Sequence, residues 1–397
     1  MLLLQAMTLS IFSLIIVLLM AAVATTVVFR YLRIPVILGY IVVGVLLGPH
    51  AVGLIADGQN IRDIAEFGVV FLLFTIGLEL SFKRLTTLKN VLISYGGLQI
   101  SATVIITQVI GIWLGLTLIE AMIVGFVVAM SSTAIVTKQL VDQDELHTPH
   151  GTNALAILLL QDLAVVPCLI LIPSLGQAAL SSTIMLSVLF ALAKGVIAIA
   201  FILLLGKRLL RPLFHHIAAA QSSEIFTLAT LLVALSFAWV TDYMGLSLAL
   251  GAFLAGITLA ETEFRHQISA EVRPFRDVLL GLFFITIGIQ FDLQALSITW
   301  QWILILVVAL VIGKTLLISA LGIILKNGLI TSTRTGLVLA QGGEFGFVIL
   351  ILALDYELIP QDYGQVILSS LLVSMMLSPV FIRFNANIAN ILKKKPS

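Results

Sequence analysis

Twenty-two consecutive residues, Thr8 to Phe29, pass without a charged side chain, and runs of this kind recur along the whole chain. A helix needs about 20 apolar residues to cross the hydrocarbon core of a bilayer, so a run of that length is a span on its own. Thirteen spans are readable: 8–29, 34–54, 64–80, 91–115, 120–140, 151–175, 184–205, 223–242, 246–260, 275–291, 301–325, 333–354 and 363–390. Such runs cannot form the surface of a soluble domain, because only 10% of the 397 residues are charged and 60% are hydrophobic. The same composition excludes disorder, a disulfide scaffold (Cys168 is the only cysteine) and, at a net charge of +1, a nucleic-acid binder. Runs without polar alternation also exclude an outer-membrane barrel. The first run has no basic segment before it and is long enough to span, so it reads as a helix and not as a cleaved signal peptide. The fold class is therefore an all-α polytopic membrane protein with about 13 spans.

The basic residues orient the spans. The connections after spans 1, 3, 5, 7, 9 and 11, with the span ends beside them and the C-terminal tail, take 18 of the 21 Lys and Arg residues. The opposite side has Arg62, while Lys194 and Lys314 fall inside spans. By the positive-inside rule the N-terminus is outside and the C-terminus cytoplasmic.

The two halves echo each other. FTIGLEL (74–80) resembles ITIGIQF (285–291), which puts Gly77 over Gly288 at an offset of 211. GVLLG (44–48) resembles AFLAG (252–256), which puts Gly48 over Gly256 at an offset of 208. A similar offset lays Ser131, Ser132 and Thr133 over Gly342, Gly343 and Glu344. A displacement of seven spans turns the second copy upside down, which is the inverted repeat of secondary transporters. The copies are residues 1–175 and 223–390, joined by a connector over 176–222 that holds span 7; residues 391–397 form a basic cytoplasmic tail.

A charge inside the bilayer costs at least about 2.5–3.5 kcal/mol, so an embedded one points to function. Asp162 lies about 17 Å into span 6, near mid-bilayer, with Gln161 beside it to supply an oxygen. Ser131, Ser132 and Thr133 interrupt the short span 5 with three hydroxyls, which loosen a helix and offer oxygens to a cation. In span 12, Gly342 and Gly343 invite unwinding between Gln341 and a second embedded carboxylate, Glu344. Two breaks at symmetric positions are expected to cross and present helix ends to one cavity. Lys314 is expected to balance one of the acids, most simply as a Glu344–Lys314 pair holding broken span 12. Gly44, Gly48, Gly251 and Gly256 read as close-packing positions. The charged stretch 261–277 reads as a solvated cytoplasmic loop.

With these residues laid out, the chain resembles the membrane domain of the monovalent cation:proton antiporter-2 family, in particular the Kef-type glutathione-gated potassium efflux systems. The likeness is carried by LGYIVVGVLLGP (38–49), FLLFTIGLEL (71–80), SSTAI (131–135), LLLQDLAVVP (158–167), GAFLAG (251–256), EFRH…RPF…LLGLFFITIG (263–288) and QGGEFGF (341–347). The resemblance implies a sodium/proton-antiporter fold, a homodimer with scaffold and moving core domains, and crossed broken helices at spans 5 and 12. It also implies that Gln161-Asp162 stands where electrogenic relatives carry an Asn-Asp or Asp-Asp pair. The segment with Arg265, His266, Glu271, Arg273 and Phe275 would match the regulatory loop that meets a cytosolic nucleotide-binding domain. Kef proteins continue into such a Rossmann-type domain, whereas these residues end at Lys393-Lys394-Lys395-Pro396-Ser397. Either a longer chain is expected or a member without that gate, served by an ancillary subunit.

The expected activity is electroneutral exchange of K+ for H+ by alternating access, with the monovalent cation and the proton competing for Asp162 in a bacterial inner membrane. One carboxylate can hold one proton or one cation, not both. No cofactor, nucleic acid or enzymatic step is expected. The alternatives are exchange of Na+ for H+, a gated K+ channel through the same site, and an organic-anion carrier; the scarcity of embedded basic residues argues against the last.

Overall fold

The structure, a computed structural model, describes residues 11–31, 36–49, 51–53, 55, 59–79, 88–178, 222–244, 246–289, 291 and 293–393, with scattered positions between 193 and 219. Every long regular element among them is helical. In chain order they are α1 (Ile11–Tyr31), α2 (Val36–Leu47), α3 (Gln59–Glu79), a π-helical turn (Leu92–Gly96) leading into α4 (Gly97–Trp113), α5 (Leu118–Ala129), α6 (Thr133–Asp142), α7 (Pro149–Ala178) and α8 (Ser223–Tyr243). They continue with α9 (Leu248–Ala260), α10 (Arg265–Ile289), α11 (Leu293–Ile324), α12 (Leu329–Val338), α13 (Glu344–Asp355), α14 (Gln361–Arg383) and α15 (Asn385–Lys393). Six stretches are long and apolar enough to cross a membrane alone: Leu88–Trp113, Leu118–Asp142, Pro149–Gly176, Ser223–Tyr243, Thr299–Ile324 and Gln361–Arg383. Shorter apolar helices, Val36–Leu47, Leu248–Ala260 and Val278–Ile289 among them, add to these. Most of span 7, with Lys194, lies outside the described residues.

The surface is that of a lipid-facing protein. On α11, Trp302, Leu304, Ile305, Val308, Ile312 and Leu316 are all exposed, and on α4 so are Ile105, Ile106, Val109 and Ile110. Exposed apolar ridges of this length are tolerated in a bilayer and aggregate in water.

By compactness the chain divides into two units, Met1–Arg84 with Leu169–Leu293, and Leu85–Cys168 with Gln294–Ser397. In the first unit, α3 packs on α9 and α2 on α10. Both crossings are made at glycine. A Cβ on Gly77 would stand 2.3 Å from the Phe253 carbonyl oxygen and 3.0 Å from Gly256 Cα; one on Gly44 would stand 2.0 Å from the Ile285 oxygen and 2.8 Å from Gly288 Cα. The glycines that echo each other in the sequence thus sit at close backbone contacts. Gly44, a turn before Gly48, is the residue opposite Gly288, and its offset to Gly256 is 212, close to the 211 from Gly77 to Gly288. Close backbone approach at small residues is how helices associate in lipid, where burial of apolar surface offers little drive. Gly77→Ala is therefore expected to lower stability by about 1–3 kcal/mol, the cost of overpacking a tight contact. A thermal-unfolding midpoint in detergent unchanged from the parent would contradict this.

Two sequence expectations are corrected here. The stretch 261–277 is not a loop from Arg265 onward: α10 starts there and carries Pro274 within it. The reason is its spacing. Phe264, Ile268 and Val272 recur every four residues and pack against Phe214 and Phe226, with Ile268 and Val272 buried. Span 13 is likewise two helices, α14 and α15, separated at Phe384.

The second unit holds the interrupted helices. α5 starts on a capping box in which the Glu120 N–H donates to Thr117 Oγ1 (3.3 Å) and the Thr117 N–H to Glu120 Oε2 (2.6 Å). It stops at Ala129, and α6 begins at Thr133 with Ser132 as its cap, accepting from the Ile135 N–H at 3.2 Å. α12 stops at Val338 and α13 begins at Glu344 after the extended Gly343. Both breaks fall where the polar and glycine runs stand in the sequence.

Candidate functional site

A broken helix leaves orphan carbonyls at the end of its first half and orphan N–H groups at the start of its second half, and in a membrane the protein must satisfy both. Here the two breaks touch. A Cβ on Gly343 would sit 2.4 Å from the Ser131 carbonyl carbon and 2.8 Å from the Ser132 nitrogen, so only glycine permits the crossing. Ser131 Oγ donates to the Leu339 carbonyl at 2.9 Å, which bonds one break to the other.

Side chains from the surrounding helices complete the orphans. Lys314, on α11 and 2% exposed, donates through Nζ to Met130 O (2.7 Å), Gln341 O (2.9 Å) and Ser131 Oγ (2.9 Å). One ammonium thus serves carbonyls from both breaks, at the negative ends of α5 and α12. Glu344 takes the opposite role: its Oε1 accepts from the Ala134 N–H at 3.3 Å, at the positive end of α6. The expected Glu344–Lys314 pair is absent from the ion pairs of the described residues. The physical reason is that each charge answers a helix terminus, so the two are spread over the crossing and not joined.

Gln161 and Asp162 face the first break from α7. Gln161 is fully buried and both ends of its amide are used: Oε1 accepts from the Ser131 N–H (2.8 Å), and Nε2 donates to Gln99 Oε1 (2.8 Å). Gln99 on α4 donates in turn to the Ala129 carbonyl, the last of α5, at 3.2 Å. Sequence reading passed over Gln99; its signal was a glutamine in an otherwise apolar span. Asp162, 4% exposed, accepts from Thr133 Oγ1 at 3.0 Å through Oδ1. The structure therefore brings Ser131, Gln161 and Lys314 into one network, and Thr133 and Asp162 into direct contact. Ser132 Oγ accepts from the Ile135 N–H as the cap of α6. Gly342 donates its N–H to Ser374 Oγ at 3.0 Å. Among the described residues, both amide atoms of Gln341 and Glu344 Oε2 are buried without a hydrogen-bond partner.

A buried carboxylate beside a hydroxyl and a crossing of helix ends is a place for one small cation or one proton. Residues 15–384 match the family described as sodium/hydrogen exchanger, transmembrane. The chain belongs to this family. Among relatives of this exchanger domain, the putative K(+) efflux antiporter KefB of Alkalimonas amylolytica is 41% identical over 359 residues, covering 90% of this chain and 53% of that protein. The K(+) efflux antiporter 1, chloroplastic, of Arabidopsis thaliana is 38% identical over 353 residues, 86% of this chain and 29% of that protein. The chain thus spans about half the length of the first and under a third of the second. In fold it resembles the sodium proton antiporter MjNhaP1 from Methanocaldococcus jannaschii, with a TM-score of 0.70 over 96% of this chain and 99% of that one at 15% identity. The sequence resemblance to Kef-type membrane domains and to the antiporter fold holds.

The residues singled out in the charged stretch 261–277 lie in the first unit, on the first turns of α10. Glu271 accepts from Ser223 Oγ (2.7 Å) and Thr227 Oγ1 (2.9 Å) on α8, whereas His266, Arg273 and Phe275 are exposed and Arg265 is half-buried.

Proposed function

We propose that this exchanger domain moves potassium one way and protons the other, one for one, by alternating access at Asp162. The carrying observation is the Asp162 carboxylate, 4% exposed and bonded to Thr133 Oγ1 at the start of a half-helix. A bare carboxylate held away from water is costly, so the site crosses between faces only when a proton or a cation neutralises it. Oxygens of Asp162 and Thr133, with the polar groups around the crossing, suit a hard monovalent cation. Potassium is favoured by the likeness to proteins named as K(+) efflux antiporters at 41% and 38% identity. Sodium in its place is the second reading, supported by the family description.

In this reading the domain is built from inverted repeats 1–175 and 223–390. It sits in a bacterial inner membrane as a homodimer, N-terminus outside, and the exposed face of α10 meets a cytosolic nucleotide-binding domain or subunit. Proteoliposomes carrying a pH dye and an outward proton gradient test the exchange, with potassium, sodium, rubidium and lithium offered in turn. Uphill potassium movement separates an exchanger from a channel. Because one carboxylate carries the exchange, the rate is expected to be indifferent to membrane voltage. A severalfold change in rate on imposing a membrane potential of either sign with a gradient of the permeant anion thiocyanate would contradict electroneutrality.

A further inference from the structure

The second unit contains a partly buried polar cluster at the α6–α7 turn, well along both helices from Thr133 and Asp162. Glu145, in the turn between α6 and α7, bonds Arg334 Nη2 of α12 through Oε1. Its Oε2 accepts from Asn385 Nδ2 of α15 at 3.0 Å and meets His150 Nε2 of α7 at 3.1 Å. Arg334 Nε donates to Asn385 Oδ1, which closes a ring of three side chains from three elements. Asn385 is fully buried and His150 is 2% exposed. Thr148 Oγ1 lies 2.9 Å from His150 Nδ1 and donates to the Glu145 carbonyl at 2.6 Å, so the turn is also bonded from within. Burial by itself would push the Glu145 carboxyl up, but the bonds from Asn385, His150 and Arg334 outweigh it and hold the group below its usual range. The carboxylate is thus kept charged with both oxygens engaged.

A turn this short needs no arginine from another helix to close. What the ring adds is a tie between the α6–α7 turn and α12, the two segments that run from the two breaks. Thr133 is the first residue of α6 and stands about 15 Å along it from the turn; Asp162 is about 18 Å along α7 from His150. Both helices are anchored at this turn, and rigid helices carry a shift at their base to their far ends. We propose that Arg334, through Glu145 and Asn385, is a positioning residue for cation exchange: it fixes the base of α6 and α7 and thereby the contact between Thr133 and Asp162. The inference rests on Asp162 being the exchange site.

The test uses the full-length protein in proteoliposomes and reads the potassium concentration for half-maximal exchange separately from the maximal rate. Arg334→Gln is expected to raise that concentration about fivefold or more, with Arg334→Lys in between because it keeps the charge and loses the fork. In a Thr133→Val background, where the contact is already gone, the same change is expected to do less than about twofold, the mark of residues acting through one another. Equal effects in both backgrounds overturn the proposal. So does an unmoved half-maximal concentration accompanied only by a lower rate or a lower thermal-unfolding midpoint, which is the outcome of a merely structural tie. If Arg334→Gln does not fold, Asn385→Ala, which removes an acceptor for Arg334 and a donor to Glu145, carries the same pair of measurements. Asp162→Asn is run alongside. Continued exchange by that variant removes the functional reading and this inference with it, whereas an inactive Asp162→Asn with an unmoved Arg334→Gln removes the positioning role alone.

Discussion

Asp162→Asn is expected to yield a folded protein that no longer exchanges cations for protons. The substitution keeps the shape of the side chain, and the amide oxygen still accepts the Thr133 hydroxyl that Oδ1 receives at 3.0 Å. It removes the one property the mechanism uses, the ability to alternate between a protonated and a cation-bearing form. A neutral Asn cannot release a proton when potassium arrives, and it gives a cation no net charge to balance the loss of its hydration shell. The unmutated protein should show the counterpart of this. If proton and potassium compete for this carboxylate as proposed, the apparent affinity for potassium is expected to weaken as pH falls while the maximal rate at saturating potassium changes less. Dye assays on the parent and the variant between acidic and alkaline pH check both halves. Exchange by Asp162→Asn at a rate comparable to the parent would remove Asp162 from the mechanism.

Much of this architecture was legible in the order of residues because a bilayer leaves the chain little choice. Long charge-free runs fold to helices there, and the exposed ridges of α4 and α11 bear out which runs those are. The breaks at Ser131–Thr133 and Gly342–Gly343 were legible for a local reason: hydroxyls compete for backbone carbonyls and paired glycines abandon helix cheaply. Partners across space were less so. Nothing in the spacing of Gln99 and Gln161 announces that they meet, since their bond spans 62 residues. The Glu145, Arg334 and Asn385 ring is similar, because each of its members looks like an ordinary polar residue near a helix end until the fold brings them together. Helix versus loop over 261–277 turned on a four-residue apolar spacing that the density of charge concealed.

The Glu344–Lys314 expectation failed for a reason that yields the second large effect. Sequence reasoning sees two opposite embedded charges and joins them, because a charge alone in lipid is costly. The folded chain contains further charge that the sequence does not display, the partial charges at the ends of four half-helices. Lys314 answers the negative ends by donating to Met130 O, Gln341 O and Ser131 Oγ, and Glu344 answers a positive end through the Ala134 N–H. The two roles are unequal in what their loss leaves behind. Glu344→Gln keeps an oxygen for the Ala134 N–H, so it is expected to cost at most about 1 kcal/mol, the net worth of an ordinary hydrogen bond. Lys314→Met keeps the length and apolar stem but strips the donor from two backbone carbonyls and a hydroxyl buried at the crossing. Each group left unsatisfied costs about 1–3 kcal/mol. Lys314→Met should therefore unfold well below the parent in detergent and lose transport with it, while Glu344→Gln stays near the parent in stability. Thermal-unfolding midpoints of the two single variants decide the matter: equal midpoints would mean that the lysine does not hold the crossing, and that the broken helices are kept together by Ser131 and the Gly343 contact alone.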